Sequence, residues 1–457
     1  MECSTGKKVV YLDNNATTLM PQRVVQRMVE WINKGNPSAD YKSAKDCREL
    51  MKCFRRDLAT KCDFKSYEPD DKSENKNQKW AAREATDRSE GSSERALYHV
   101  IFTSCASESN NMFVRAVVES YNSNYSRDAK NKTPPHIILS SVEHKSILNC
   151  AVQLAKRGCT ELTLIRPDKF GFIHAKDVKS NIRPNTILIS IMQANNETGA
   201  INDIEAISAV AKSHGAVFHT DCVQSFSKFL LRPVVNGNVV IDAFSISFHK
   251  MHGPTGVGAI VINKRVLDKL RLESEICGTQ NDGMRGGTEN IAGIAAAYEG
   301  FLISADSRAA KNARMLELKQ YIMQGLSKYV VCRTYKEYLN SNLSLKNSDA
   351  AEIIFISTCE KRYLPGTLLM SVIRPMRGEV CNGKMKAELE KRGVIVSIGS
   401  ACNTSNSKAS HVITEMGVSD EIKKGTLRIS LGDMTSKCDV DVFIVEFLSM
   451  LKHLGYT

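Results

Sequence analysis

Phe244-Ser245-Ile246-Ser247-Phe248-His249-Lys250-Met251-His252-Gly253-Pro254 reads as an apolar strand that runs into Ser-x-His-Lys and then a Gly/Pro turn. A second strand, Gly256-Val257-Gly258-Ala259-Ile260, follows it. A lysine at the end of a buried strand is unfavourable unless it is paired or gives up its charge. A lysine that forms a Schiff base has a chemical reason to be there. Alone, the motif is short, and a surface lysine is the commoner explanation.

Working outward, short apolar runs read as buried strands at His136–Leu139, Thr186–Ile191, Ala216–His219, Ala243–Ser247 and Val257–Ile262. Helical patterns lie between them at Ser146–Lys156 and Ile204–Ser213. Alternation of this kind predicts an α/β sheet covered by helices, with ligands at the strand C-terminal ends. The residues just after these runs are therefore the candidates for chemistry.

The strand before Lys250 ends in His219-Thr220-Asp221-Cys222-Val223-Gln224. Asp221 and Val223 share a face if the chain stays extended. A carboxylate there can pair with a cofactor ring nitrogen, or simply cap the turn. Phe102 to Ser109 ends one run and opens a helix over Asn110–Glu119, and its small and hydroxyl residues suit an anion at a helix N-terminus or ordinary capping. His144 follows another strand, where an imidazole can stack on a flat cofactor and move protons. Asn195 and Asn196 follow a further strand and either contact a ligand or form a turn. Cys402, in Gly399-Ser400-Ala401-Cys402-Asn403-Thr404-Ser405, sits in a polar loop where a thiol is accessible. Arg428 stands alone in the apolar strand Thr426 to Leu431, which calls for an anionic partner: a substrate carboxylate or a structural acid.

The bulk properties are consistent with this. The chain has 457 residues, enough for two domains or a large domain with a smaller one. Hydrophobic residues make up 42% and no apolar run reaches membrane-helix length, so no membrane partner is expected. Only Met1 to Lys8 precede the first strand, which leaves a cytoplasmic location as the default expectation. The 14 cysteines show no CxxC pair and no metal-like spacing, so reduced thiols and no metal are expected. A net charge of +12 is spread along the chain without an aromatic-basic block, so no direct nucleic-acid binding is expected, although an acidic protein partner fits. Glu68 to Arg95 has little to bury and reads as a surface insertion within one domain. Cys359 to Glu379 reads as a second insertion.

Taken together and in order, these motifs resemble the cysteine desulfurases of the NifS/IscS-like class V aminotransferase family. The resemblance runs from Tyr11-Leu12-Asp13-Asn14-Asn15-Ala16-Thr17-Thr18 to beyond Gly432. It includes Gly35-Asn36-Pro37-Ser38, Glu143-His144-Lys145, Asn195-Asn196-Glu197-Thr198-Gly199, Arg285-Gly286-Gly287-Thr288 and Gly399-Ser400-Ala401-Cys402.

The resemblance implies a pyridoxal 5'-phosphate (PLP) enzyme of fold type I. Such a fold has a large domain with a mostly parallel, mixed seven-stranded sheet and a smaller α+β domain, here at 19–303 and at 1–18 with 304–457. Lys250 would carry the cofactor, Asp221 would hold its ring nitrogen and Gln224 its ring hydroxyl. His144 would stack on the ring, and Ala106, Ser107, Ser247 and His249 would take the phosphate. Thr288 would reach the phosphate in the other subunit of a homodimer. Asn196 would lie at cofactor and substrate, Arg428 at the substrate carboxylate, and Cys402 would form the persulfide. The implied reaction converts L-cysteine to L-alanine and hands sulfur to an acceptor protein, for instance an iron–sulfur scaffold, for cluster assembly or for thio-cofactor and tRNA sulfur supply. A selenocysteine lyase shares much of this pattern, and an inactive scaffold paralogue is the non-enzyme alternative. The chain departs from the family at Cys105, Phe248, Gly286 and Asp433.

Overall fold

The computed structural model describes residues 9–66, 97–125, 133–229, 231–236, 238–270, 272, 274–341, 350–374, 380–399 and 410–456. The expected insertion at 68–95 and Cys402 lie outside the described residues.

The apolar runs form one eight-stranded sheet in the order Lys65–Ser66, Leu97–Thr103, Gly258–Asn263, Ala243–Ser247, Val217–Asp221, Thr186–Ser190, His136–Ser140, Glu161–Ile165. All neighbours are parallel except Gly258–Asn263, which is antiparallel to both of its partners. The seven strands of the expected count are joined by a two-residue edge strand, Lys65–Ser66. The central strands are buried on both faces, and their polar side chains pair across strands, His136 with Thr186 and His219 with Ser190 and Ser245. Helices cover them, and several start at a residue whose side chain accepts from a free first-turn N–H: Asp203 before Ile204–Ser213 and Asn290 before Ile291–Ala305.

A second, four-stranded sheet runs Val331–Thr334, Glu352–Phe355, Thr367–Ile373, Thr426–Ser430. Its apolar cluster takes in Ile322, Ile353, Leu368, Leu427, Phe443 and Phe447, and also Val10 and Leu12 from the start of the chain. Val10–Tyr11 pairs in parallel with Val394–Ile395, and Asp13 bridges to Ser430. The stretch from Cys359 to Glu379, read above as an insertion, is corrected by this sheet. Thr367–Ile373 is a fully buried strand paired on both sides, and its sequence TLLMSVI is the apolar run that such a place requires.

No described helix is long and apolar enough to cross a membrane. All cysteines among the described residues are free thiols.

Candidate active site

The strand ends of the large sheet converge on Lys250, which closes the single turn Phe248–Lys250 after Ala243–Ser247. Its Nζ donates to the carbonyl of Asn15 at 2.6 Å and to that of Ala16. Burial, followed by the charge of Arg428, pushes the amine down to about 7, while Asp13 and Asp221 oppose the shift. A neutral amine is thus accessible near neutral pH.

Asp221 ends the neighbouring parallel strand and is 5% exposed. The turn-capping reading of it is seen directly. Oδ1 accepts from the Val223 N–H at 2.9 Å, which caps the turn, and Oδ2 accepts from Asn110 Nδ2 at 2.9 Å. Gln224 donates from Nε2 to the Asn15 carbonyl at 2.9 Å, and its buried Oε1 has no partner among the described residues.

His144 caps the helix Lys145–Lys156. Its Nδ1 accepts from the Ser146 N–H at 3.2 Å and lies 2.8 Å from the Ser146 hydroxyl, which leaves Nε2 as the working nitrogen. Desolvation holds its imidazolium below the ordinary range; Lys250 and His411 add to this and Asp221 opposes it. His249 is pushed down to about 4, by burial and then by Lys250, and its Nδ1 is 3.1 Å from the Thr17 hydroxyl.

The candidate phosphate residues meet through the sheet register. Ser247 pairs with Gly258, and Gly258 with Thr103, which leads into the helix Ala106–Tyr125. That helix begins before the expected Asn110, so Ala106 and Ser107 lie in its first turn with their N–H groups free of intrahelical partners. A Cβ on Gly258 would sit 2.6 Å from the Cys105 carbonyl carbon and 2.9 Å from the Ala106 nitrogen. Glycine at 258 is what lets the strand pass this close to the helix start.

Asn195 and Asn196 divide their tasks. Asn195 builds the turn, its Oδ1 accepting from the N–H groups of Glu197 and Thr198 at 2.9 and 3.0 Å. The carbonyl of Asn196 accepts from Asn15 Nδ2 at 3.1 Å and from Arg428 Nη1 at 3.0 Å. Arg428 also donates from Nη2 to Asp13 Oδ1 at 2.7 Å, and its buried Nε has no partner among the described residues. Thr288 is exposed and lines a separate cavity of about 120 Å³ with Ser104 and Arg285, not the one lined by Lys250.

Cys402 lies outside the described residues, but its flanks are placed. The Ser410 hydroxyl donates to Glu197 Oε2, and a Cβ on Gly399 would meet the same oxygen at 2.8 Å. His411 Nε2 is 3.1 Å from the Glu143 carbonyl. Both flanks therefore arrive at the loops that carry His144 and Asn196.

Three of the four departures from the family pattern find physical reasons, at Phe248, Gly286 and Asp433. Phe248 turns away into the core, fully buried, with its ring 5.1 Å from that of Phe54. Gly286 is packed so tightly that a Cβ would lie 2.2 Å from the Cys277 carbonyl oxygen. Asp433 Oδ2 binds His252 Nε2 at 3.1 Å and Lys311 Nζ at 3.3 Å beside buried Lys228.

Sequence reasoning passed over Asn15, Asp13 and Asn110 as working parts. The segment 13–18 touches Lys250, His249, Gln224, Asn196 and Arg428, although it lies more than 180 residues away from each in sequence. Its only signal was the motif Asp13-Asn14-Asn15-Ala16-Thr17-Thr18 itself, since local patterning cannot show which distant strands it will join.

The residues fit a flat, phosphorylated pyridine. A depressed lysine amine, an oriented carboxylate, an unsatisfied amide oxygen on Gln224 and a helix start with free N–H groups at Ala106 and Ser107 supply one contact type for each part of PLP. Comparison with known proteins agrees. Residues 82–357 match the family model for "Aminotransferase class-V". The "Cysteine desulfurase IscS" of Methanosarcina thermophila is 31% identical over 440 residues, covering 96% of this chain and 91% of that one. A solved structure named "NIFS-LIKE PROTEIN" superposes with a TM-score of 0.74 at 26% identity, covering 97% of this chain and 100% of that one. Another, "SspA in complex with cysteine", gives a TM-score of 0.66 at 26% identity over 93% of this chain and 99% of that one. The mixed sheet is that of PLP fold type I, and the chain belongs to the class V aminotransferase family, among its PLP-dependent cysteine desulfurases of the NifS/IscS type.

Proposed function

We propose that this enzyme removes sulfur from L-cysteine, releasing L-alanine, and passes the sulfur by way of Cys402 to an acceptor protein. The observation that carries the reading is Lys250: an amine depressed to about 7, with Asp221 and Arg428 both in electrostatic reach. The site residues would divide as the resemblance implies. Lys250 Nζ would hold the cofactor, Asp221 its ring nitrogen and Gln224 its ring hydroxyl. Ala106, Ser107, Ser247 and His249 would hold its phosphate, with Thr288 contributed across a homodimer interface.

Bound PLP supplies an electron sink for the substrate's α-carbon. Lys250 Nζ, depressed to about 7, would serve as the base for the substrate's α-proton. His144 offers Nε2 for proton transfer, since Nδ1 is committed to Ser146. Arg428 and Asn196 orient the substrate, Arg428 through the carboxylate. The Cys402 thiolate would then attack the substrate sulfur; the carbon–sulfur bond breaks with its electron pair left on the substrate carbon, which takes up a proton on the way to L-alanine, and a persulfide remains on Cys402. The proposed domain division, 19–303 against 1–18 with 304–457, puts Lys250 and Asp221 on one unit and Arg428 and Cys402 on the other. A cytoplasmic site of action, with the persulfide drawn off by an iron–sulfur scaffold or a thio-cofactor or tRNA sulfur carrier, completes the reading.

Cys402→Ser tests it. The variant should keep the yellow colour of bound cofactor and still bind L-cysteine, but lose persulfide formation and nearly all alanine release under reductant. A persulfide mapped to another cysteine would overturn the assignment.

A further inference from the structure

Arg428 is anchored twice along its backbone. Its N–H donates to the Ser397 carbonyl at 2.7 Å, and its own carbonyl accepts from the Ser397 N–H at 3.1 Å. A fixed backbone still leaves the torsions of a long side chain to be set. Two contacts set them: Asp13 Oδ1 on Nη2 and the Asn196 carbonyl on Nη1. The Arg428 side chain is 3% exposed and that of Asp13 is 16% exposed, so their ion pair is largely shielded from water.

Asp13 is itself held by main-chain contacts. It bridges to Ser430, two residues along the strand from Arg428, and Asn14 N–H donates to the Ser430 carbonyl at 3.2 Å. The Tyr11 hydroxyl donates to the Asp13 carbonyl at 3.1 Å. A short carboxylate on a backbone locked to Arg428's own strand is a stiff stop for the guanidinium. Of the five guanidinium N–H groups, the two contacts use one on each Nη, and the Nε–H has no partner among the described residues.

We propose that Asp13 is a positioning residue for the desulfurase reaction, fixing Arg428 in the one orientation that leaves its remaining N–H groups to the substrate carboxylate. This rests on the reading of Arg428 as the carboxylate holder. A second consequence follows from charge. Arg428 disfavours the ammonium form of Lys250 and Asp13 favours it, so the same carboxylate also balances the field at the cofactor lysine.

The test uses the holoenzyme, with the product L-alanine, which has no sulfur to transfer, as a probe read by calorimetry, beside the steady-state constants for L-cysteine. Asp13→Asn should weaken L-alanine binding about tenfold and raise KM similarly, with kcat changed by less than about threefold. Arg428→Gln should do at least as much, and the double variant should be no worse than Arg428→Gln alone, because Asp13 acts through Arg428. In the cofactor-free protein, Asp13→Asn should lower the pH at which borohydride traps PLP on Lys250. Unchanged L-alanine binding in Asp13→Asn, beside a weakened Arg428→Gln, overturns the proposal, even if the melting temperature falls. Unchanged binding in Arg428→Gln overturns the reading of Arg428 instead. Should Asp13→Asn fail to fold, Asp13→Glu decides: it keeps the charge but displaces it, and wild-type L-alanine affinity in that variant refutes a positioning role.

Discussion

Asn110 and Asp221 are 111 residues apart in sequence, and the amide of one donates to the carboxylate of the other at 2.9 Å. With the Val223 N–H on the second oxygen, this bond fixes the plane of the acid proposed to hold the cofactor's ring nitrogen. Hydrogen bonds to charged groups contribute about 1.5–3 kcal/mol. Asn110→Ala should therefore weaken PLP binding by about tenfold or more, and Asp221→Asn by more still. Titration of the cofactor-free protein with PLP, followed by absorbance, checks this. Wild-type affinity in Asn110→Ala would mean that Asp221 is oriented without it.

Lys250 links stability to pH. Its folded-state pKa lies near 7 against an ordinary 10.5, because burial disfavours the charged form. Below about 7 both folded and unfolded chains hold the proton, and the fold carries the full penalty; the penalty is relieved as pH rises towards 10.5. Lys250→Met in the cofactor-free protein should raise the melting temperature by a few degrees in mild acid, with the gain shrinking at high pH. A gain that does not change with pH would show that Lys250 is charged in the fold throughout.

Glu143 works in the opposite sense. It is fully buried, and burial raises its carboxyl from 4.5 to about 8, although Ser140 and the Met192 N–H hydrogen-bond to Oε1. Between those two values the unfolded chain releases the proton while the fold retains it, so stability falls as pH rises. Glu143→Gln keeps an acceptor for both bonds and removes the charge. It should be neutral in acid and stabilising at about pH 9, as read from melting curves. Equal melting at every pH would mean that the carboxylate is solvated.

Thr288 lies on the surface by a cavity shared with Ser104 and Arg285, away from the Lys250 cavity of its own chain. A residue that serves a phosphate from there must serve a neighbour's. A Lys250→Ala chain mixed with a Thr288→Ala chain should regain activity, since one of the two sites in each mixed dimer would be intact. Full activity in a species that sediments as a monomer would rule this out.

Much of this was legible in the sequence wherever the chemistry follows a strand directly. Lys250, Asp221 and Gln224 stand at the ends of apolar runs, and such ends collect at one edge of a parallel sheet. The positioning residues were not legible. Asn110 sits inside a helix, and nothing local distinguishes it from Asn111, which instead ties its helix to the Ser107 and Ser146 carbonyls. Thr367–Ile373 was hidden because a polar run before it made the whole stretch look like an insertion, although its own seven residues are all buried. Phe248 misled in the other direction. It stands out in the sequence as a large ring two residues before Lys250, but one residue of a tight turn is enough to send it into the aromatic core.

The pairing of Val10–Tyr11 with Val394–Ile395, and of Asp13 with Ser430, has a consequence for biosynthesis. The carbonyls that hold Lys250 belong to a segment whose partners, Val394–Ile395 and Ser430, come far later in the sequence. During translation this segment must wait for Val394–Ile395 and Ser430 to emerge. A nascent or prematurely terminated polypeptide that ends before Val394 lacks the rail on which Asn15 and Ala16 are mounted. A chain lacking Val394 and Ile395 should therefore hold the cofactor weakly.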